Sequence, residues 1–190
     1  MIRKLAAVLA LAATPTFAQD AVDGPGPNLV IEVAGAANGT IVIDLLADSA
    51  PLHVAQITAL AKEGAYDNVV FHRVIDGFMA QTGDVSNGKA GGDLSRAGMG
   101  GSALPDIPAE FSTSLSFQRG VVGMARAADP NSANSQFFIM FAPGEFLDGQ
   151  YTIVGNVISG MEIVDAIKRG DGQNGEVSSS PDVMTKVTVQ

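Results

Sequence analysis

The sequence predicts a mainly β fold, a closed eight-stranded antiparallel barrel capped by two α-helices. About eight short segments are rich in apolar and β-branched residues and are separated by turn residues, as in antiparallel β proteins. Two further segments have helical periodicity, and one lies near each end of the strand-rich region. There is no repeat of roughly 20–50 residues, so this order favours a closed or nearly closed sheet with a helix over each mouth.

The first elements are a hairpin and a helix. Segments 29–34 and 40–46 are strand-like, and the Asn38-Gly39 turn between them is typical of a hairpin. Ser49 is expected to cap the helix that follows, Pro51 lies in its first turn, and Gly64 ends it.

Short strands and one long loop make up the rest of the chain. The loop, 84–108, contains six glycines and has little periodicity, and loops of that length are usually functional or mobile. A second helix is expected over 161–169, closed by Gly170. Strands are expected over 69–75, 78–82, 116–125, 136–141, 151–157 and 183–189.

Residues 1–18 have the pattern of a secretory signal peptide. Arg3 and Lys4 form a basic start, 5–13 is apolar, and Thr16-Phe17-Ala18 places small residues at a cleavage site. The apolar run is far shorter than the ~20 residues of a membrane-spanning helix, and an uncleaved anchor is the alternative. We therefore expect a flexible lead-in over 19–27, a domain over 28–190, export to the periplasm, and no stable membrane insertion after cleavage.

Charge and cysteine content exclude several classes of function. The formal charge is −9, and loss of Arg3 and Lys4 with the signal peptide would make it −11. Such a surface repels phosphate backbones, so nucleic acid is not an expected partner. The chain has no Cys and only two His, His53 and His72, without metal-ligand spacing, so we expect neither a metal ion nor a cofactor. Both His are interpreted as structural, and the Gly-rich stretch 88–101 as a surface loop.

Arg73 is the first candidate functional residue. Strand alternation places Phe71, Arg73 and Ile75 on one face, so a charged group stands between apolar neighbours. A buried charge needs compensation. Two interpretations remain open: an Arg at a strand end paired with a carboxylate, or an Arg directed into an apolar ligand cleft.

Gln136 is the second candidate. Alternation places it with Phe138 on one strand face, and an amide beside a buried aromatic ring needs either an amide-bearing ligand or an internal partner. The spacing does not choose between these two. Phe78 and Met79, taken alone, are more typical of a core than of a site.

Several separated motifs resemble the cyclophilin family of peptidyl-prolyl isomerases. The run FHRVIDGFMAQTGD, at 71–84, is similar to the family signature, and MARAADPNSANSQFFI and FLDGQYTIVGNV follow in the family's order. The similarity extends over 29–189. It implies a cyclophilin-like barrel with a substrate groove on its outer face.

The resemblance also implies a role for individual residues. Arg73 matches the catalytic Arg, and Ala125 and Arg126 match the segment whose backbone binds the substrate chain, although many relatives have Asn in place of Arg126. Gln81 matches a residue that orients the Arg, and Gln136 a second polar residue of the groove. The substrate-binding set is Phe78, Met79, Gln81, Ala125, Arg126, Gln136, Phe138, Phe146, Leu147 and Tyr151.

Two departures concern inhibition. Phe146 stands where many eukaryotic members have Trp, and Tyr151 where they have His, so we expect weak or no binding of cyclosporin. The expected activity is rotation about X–Pro bonds in proline-containing segments of unfolded or folding proteins, by a monomer that assists the folding of exported proteins. The alternative is a peptide-binding chaperone without catalysis, which a loop at 84–108 folded over the groove would favour.

Overall fold

A computed structural model describes residues 22–190 as one curled antiparallel sheet with two α-helices. Helix α1 is Pro51–Lys62 and α2 is Met161–Ala166, and short 3-10 helices cover Glu145–Leu147 and Gln173–Gly175. The strands are β1 Asn28–Ala34, β2 Gly39–Leu45, β3 Val69–Val70, β4 Arg73–Ile75, β5 Met79–Thr82, β6 Val121–Met124, β7 Phe137–Met140, β8 Ile153–Ser159 and β9 Val183–Val189.

The sheet is a nine-stranded half-barrel in the order β3-β9-β1-β2-β8-β6-β7-β5-β4, so the prediction of a closed eight-stranded barrel is wrong. The difference arises where 69–75 was expected to be one strand. That segment divides at Phe71 and His72, so that β3 pairs with β9 at one edge and β4 pairs with β5 at the other. Phe71 N–H still donates to the Asp182 carbonyl, next to β9, whereas the His72 carbonyl accepts from Val177 N–H, so the hydrogen-bonding partner changes at His72.

Two apolar clusters lie on opposite faces of the sheet. Side chains alternate along β7, so that Phe137 and Ile139 join the main core, whereas Phe138 and Met140 join a smaller second cluster. The main core also contains side chains of β1, β2 and α1. The second cluster contains Met79, Phe117, Val121, Phe138, Met140, Leu147 and Ile153, and it forms the base of the candidate site.

Both helices differ from the sequence prediction at one end. The N-cap of α1 is Ala50, not Ser49, and no cap side chain bonds the first turn. The carboxylate of Glu110, just after the long loop, does so by accepting from the N–H groups of Leu52 at 3.0 Å and His53 at 3.1 Å. Helix α2 ends at Ala166 because Ile167 is extended and the Lys168 N–H donates to Asp182.

The predicted signal peptide, 1–18, lies outside the described residues, and the lead-in is described only from Val22 onward. The Pro27 carbonyl accepts from Leu45 N–H at 3.0 Å, which places the end of the lead-in against β2. The domain boundary at 28 stays a prediction. Within 22–190, no helix is long and apolar enough to cross a membrane.

Candidate active site

Strand register places one row of residues across four strands on the outer face. Arg73 on β4 is directly opposite Gln81 on β5, Gln81 is opposite Phe138 on β7, and Phe138 is opposite Gly123 on β6. Directly opposed residues point to the same face of a sheet. A Cβ on Gly123 would lie 2.5 Å from Cζ of Phe138, so only glycine lets the ring lie over β6.

Three residues of this row, Arg73, Gln81 and Phe138, line a cavity of about 300 Å³, which we call the Arg73 cavity. It contains every residue of the predicted site except Gln136, so the sequence-predicted residues come together from β4, β5 and the residue before it, the two residues after β6, β7 and the segment 146–151. The lining residues are Arg73, Phe78, Met79, Gln81, Ala125, Arg126, Phe138, Phe146, Leu147 and Tyr151.

Aromatic rings supply most of the apolar wall. Phe138 stacks on Phe117 beneath it at 5.7 Å between centroids and meets the Tyr151 ring edge-on at 5.9 Å. Phe78 packs against Phe146 at 5.6 Å, and Phe146 is 65% exposed at the rim. Offset and edge-on pairs of this kind hold rings in place. The cavity is therefore a preformed apolar recess suited to a small ring.

Arg73 supplies an uncompensated positive charge to this apolar recess. Its Nη1 donates to Oε1 of Gln81 at 3.2 Å, and its Nε donates to the carbonyl of Asn174 at 3.0 Å. No carboxylate among residues 22–190 lies within salt-bridge distance of it. Burial lowers the pKa of Arg73, an effect that nearby Tyr151 opposes. Of the two open interpretations, the geometry is that of an Arg facing a ligand cleft.

The Gln136 amide is held by internal partners. Its Oε1 accepts from Gln81 Nε2 at 2.9 Å, and its Nε2 donates to the carbonyls of Gly98 at 3.0 Å and Gly100 at 2.7 Å. Both amide hydrogens and one lone pair are thus used within the protein. Gln136 connects the Arg73–Gln81 pair to the part of the long loop around Gly98 and Gly100, which we call the glycine loop. It does not line the Arg73 cavity.

Asp84 completes this connection, and sequence reasoning missed it. Its side chain is fully buried, and Oδ2 accepts from the N–H groups of Gly98 at 2.8 Å and Gly100 at 2.9 Å. Oδ1 accepts from Asn87 N–H at 2.8 Å and from Ser86. Burial alone would raise the pKa of Asp84, but these backbone donors outweigh it and leave the pKa below its usual value. A single Asp in a loop has no periodicity that would have identified it.

A second cavity of about 530 Å³ adjoins the first and shares Gln81, Ala125 and Arg126 with it. Residues 98–102 form one of its walls, so this part of the expected surface loop is a cavity wall. No residue of 84–108 lines the Arg73 cavity, which is not the arrangement expected of a loop folded over the groove.

Neither histidine lines either cavity. Burial lowers the pKa of His72 to about 4, against the opposing effect of Asp84. His53 is fully buried and its Nδ1 lies 2.6 Å from Glu110. Within 22–190, no group of three or more His, Asp or Glu side chains is placed to hold a metal ion.

Comparison with known proteins gives a consistent match. The family described as "Cyclophilin type peptidyl-prolyl cis-trans isomerase/CLD" matches residues 29–189. A Brucella suis protein named "Probable peptidyl-prolyl cis-trans isomerase" is 58% identical over 156 residues, which are 80% of this chain and 79% of that protein. A Cryptococcus neoformans protein named "Peptidyl-prolyl cis-trans isomerase-like 2" is 40% identical over 131 residues, 69% of this chain and 22% of that protein.

Solved structures with the same fold include two cyclophilins. The Cryptosporidium parvum cyclophilin type peptidyl-prolyl cis-trans isomerase, crystallised in the presence of the dipeptide Ala-Pro, has a TM-score of 0.72 at 25% identity. That comparison covers 86% of this chain and 98% of the other. A cyclophilin from Hirschia baltica has a TM-score of 0.69 at 25% identity, covering 87% of this chain and 74% of the other.

Proposed function

This chain belongs to the cyclophilin family of peptidyl-prolyl cis-trans isomerases, and from that premise we propose that the Arg73 cavity is where the X–Pro bond of a substrate rotates. The observation that carries the proposal is the juxtaposition of Arg73, without a carboxylate partner, and an apolar recess of about 300 Å³. The recess would hold the pyrrolidine ring of proline, and the guanidinium would face the peptide bond beside it.

Rotation about a peptide bond is opposed by resonance, with a barrier of ~18–20 kcal/mol. The two isomers of an X–Pro bond differ by only ~0.5–1 kcal/mol, but they exchange in tens to hundreds of seconds. In the twisted transition state the proline nitrogen becomes pyramidal and its lone pair localises. The Arg73 guanidinium can donate to that nitrogen only then, which stabilises the transition state more than the ground state.

The energies indicate that Arg73 acts together with the cavity. Raising a rate from ~10⁻² to ~10³ s⁻¹ lowers the barrier by roughly 7 kcal/mol. A hydrogen bond to a charged group contributes ~1.5–3 kcal/mol. Positioning of the ring against Phe138 and Leu147, and exclusion of water from the recess, would supply the remainder.

Replacing Arg73 by Ala tests the proposal. We expect kcat/KM for a short Ala-Pro peptide to fall by about 10- to 100-fold or more, since a charged donor is lost while the apolar wall remains. Arg73→Lys should recover only part of the activity, because a Lys ammonium lacks the planar guanidinium that donates to Gln81 and Asn174 at the same time. Arg96→Ala, an exposed Arg that lines neither cavity, is the matched control. Unchanged activity of Arg73→Ala would contradict the mechanism.

We further propose that the enzyme assists the folding of exported proteins in the periplasm. The basic start, apolar run and cleavage pattern of residues 1–18 support export. Cell fractionation followed by mass spectrometry of the N-terminus tests this, with a mature chain beginning at Gln19 as the expected result. An uncleaved chain in the membrane fraction would favour the anchor alternative, and recovery in the cytoplasm would contradict export.

A further inference from the structure

Arg126 stands at the boundary between the Arg73 cavity and the second cavity, and its side chain lines both. None of the ion pairs within residues 22–190 includes it. Several other Lys and Arg residues of this part of the chain also lack an ion pair, but Arg126 and Arg73 are the ones that line a cavity. The charge of Arg126 is therefore available to whatever occupies the cavities.

The guanidinium of Arg126 is held in place by carbonyl groups. Nε and Nη2 donate to the Gln150 carbonyl at 3.2 and 2.9 Å, and Nη1 donates to the carbonyls of Ala127 at 2.9 Å and Ala128 at 3.4 Å. The guanidinium also lies 4.5 Å above the Tyr151 ring. Of the five N–H groups of an Arg, one on Nη2 has no hydrogen-bond partner within the part of the chain that the structure describes. Both the charge and a free donor are thus fixed at the cavity edge before a ligand binds.

The charges around the Arg73 cavity are all of one sign. Within residues 22–190, its lining includes two arginines, Arg73 and Arg126, and no Asp or Glu. Among the described residues, Asp106 is the one acidic residue that lines the second cavity, and it accepts from Asn134 Nδ2 at 3.0 Å. A cleft with charges of one sign attracts ligand groups of the other sign, even when the protein as a whole has the opposite charge.

We propose that Arg126 is a specificity-determining residue that favours substrates with an Asp or Glu directly beside the X–Pro bond. A carboxylate on a residue next to the bound proline would receive the free Nη2 donor and the charge of Arg126, while a Lys there would be repelled by both arginines. This inference rests on the proposed binding of proline in the Arg73 cavity.

A purely structural role for Arg126 makes a different prediction. Its carbonyl contacts connect residues 126–128 to Gln150, so the side chain could simply hold two loops together. In that case its loss would change the rates of all peptides by the same factor. The ratio between peptides of different charge separates the two roles, because loop disorder does not distinguish Glu from Lys.

The experiment compares two peptide series, Ala-Xaa-Pro-Ala and Ala-Ala-Pro-Xaa, with Xaa as Glu, Gln or Lys. In at least one series, kcat/KM should fall in the order Glu, Gln, Lys, with Glu over Lys by about fivefold at low salt, as for a pair of exposed charges. The ratio should approach one at about 0.5 M NaCl. Arg126→Gln should reduce the Glu-to-Lys ratio at least by half, and the charge of Arg73 accounts for what remains. Arg126→Lys should keep the ratio. Lys62→Gln, on an exposed position of α1, removes the same charge and should leave the ratio unchanged.

Equal rates for Glu and Lys in both series, or an unchanged ratio in Arg126→Gln, would overturn the inference. Binding of the same peptides, measured by calorimetry, distinguishes this result from failure of the proposed function. If the binding order is Glu, Gln, Lys but no peptide isomerises faster than in buffer, the isomerase mechanism is wrong and the charge preference holds. If peptides isomerise without any charge order, only the charge preference is wrong.

Discussion

Nε2 of Gln81 donates to Oε1 of Gln136 at 2.9 Å, and this bond is the centre of a continuous path from Arg73 to Asp84. On one side, Gln81 accepts from Arg73. On the other, Gln136 donates to two carbonyls of the glycine loop, whose N–H groups donate to Asp84. The position of the Arg73 guanidinium therefore depends on a loop that lines only the neighbouring cavity.

Breaking the centre of this path should lower activity without removing any apolar wall. We expect Gln81→Ala and Gln136→Ala each to reduce kcat/KM by about 3- to 30-fold, in line with the loss of one or two hydrogen bonds that orient a charged group. The double variant should lose less than the product of the two effects, with a coupling of about 0.5–3 kcal/mol, because both substitutions break the same bond. Isomerisation of an Ala-Pro peptide by all three variants provides the measurement.

Gln118→Ala serves as the control for this cycle, since Gln118 is exposed and lines neither cavity. Its activity should match that of the parent protein. Strictly multiplicative effects of the two substitutions would show that Gln81 and Gln136 act independently, contrary to the path described above.

Asp84 should contribute more to stability than any other residue of the long loop. Its buried carboxylate accepts bonds on both oxygens, and in Asp84→Asn an amide NH₂ would face N–H donors. We expect the free energy of unfolding in urea to fall by about 2–4 kcal/mol and the amides of Gly98 and Gly100 to exchange faster with solvent. Asp93→Asn, an exposed Asp of the same loop, should change stability by less than about 0.5 kcal/mol. Equal effects of the two substitutions would refute this account.

The family resemblance placed Arg73, Gln81 and Phe138 in one predicted site, whereas strand alternation correctly placed Phe137 and Phe138 on opposite faces. Alternation did not predict how the sheet ends. Segment 69–75 is continuously apolar apart from His72 and Arg73, and nothing in it marks the change of hydrogen-bonding partner that follows Phe71. Phe71 consequently packs in the main core, whereas Ile75 packs against the second cluster.

Long-range polar contacts were the other feature that local patterns could not predict. Ser49 had the expected character of a helix cap, yet Glu110 bonds the first turn of α1 from a distant part of the chain. Asp148 likewise accepts from Phe117 N–H and Ser116 Oγ, and β6 begins at Val121 instead of at 116. In both cases a carboxylate from a distant part of the chain accepts backbone N–H groups, at the start of α1 in one case and in the segment expected to be a strand in the other.

His72 should make the protein less stable in mild acid. Its pKa is lowered by burial to about 4 in the folded state, against about 6.5 when unfolded, and both ring nitrogens are buried without a hydrogen bond. Between these values the unfolded chain binds a proton that the folded chain does not, so the free energy of unfolding should fall as the pH drops from about 6.5 to 4, by up to about 3 kcal/mol. Urea unfolding at a series of pH values measures this.

The variant His72→Leu isolates the contribution of this group from that of His53. Because the Leu side chain cannot be protonated, the difference in stability between parent and variant should change steadily across the interval and be constant above about pH 7. A difference that is the same at pH 4.5 and pH 7 would mean that His72 is protonated equally in the folded and unfolded states.

Phe146 should limit the affinity for cyclosporin. The family resemblance places a Trp here in many eukaryotic members, where it contacts the inhibitor, whereas Phe146 is 65% exposed and its ring packs against that of Phe78. An indole would add apolar area and an N–H donor at the rim. We expect Phe146→Trp to lower the inhibition constant for cyclosporin by tenfold or more, about 1.4 kcal/mol. Inhibition of Ala-Pro isomerisation measures it, with Phe111→Trp, another exposed Phe outside both cavities, as the control. Tight inhibition of the parent protein, unchanged in Phe146→Trp, would mean that the rim residue does not govern binding of the inhibitor.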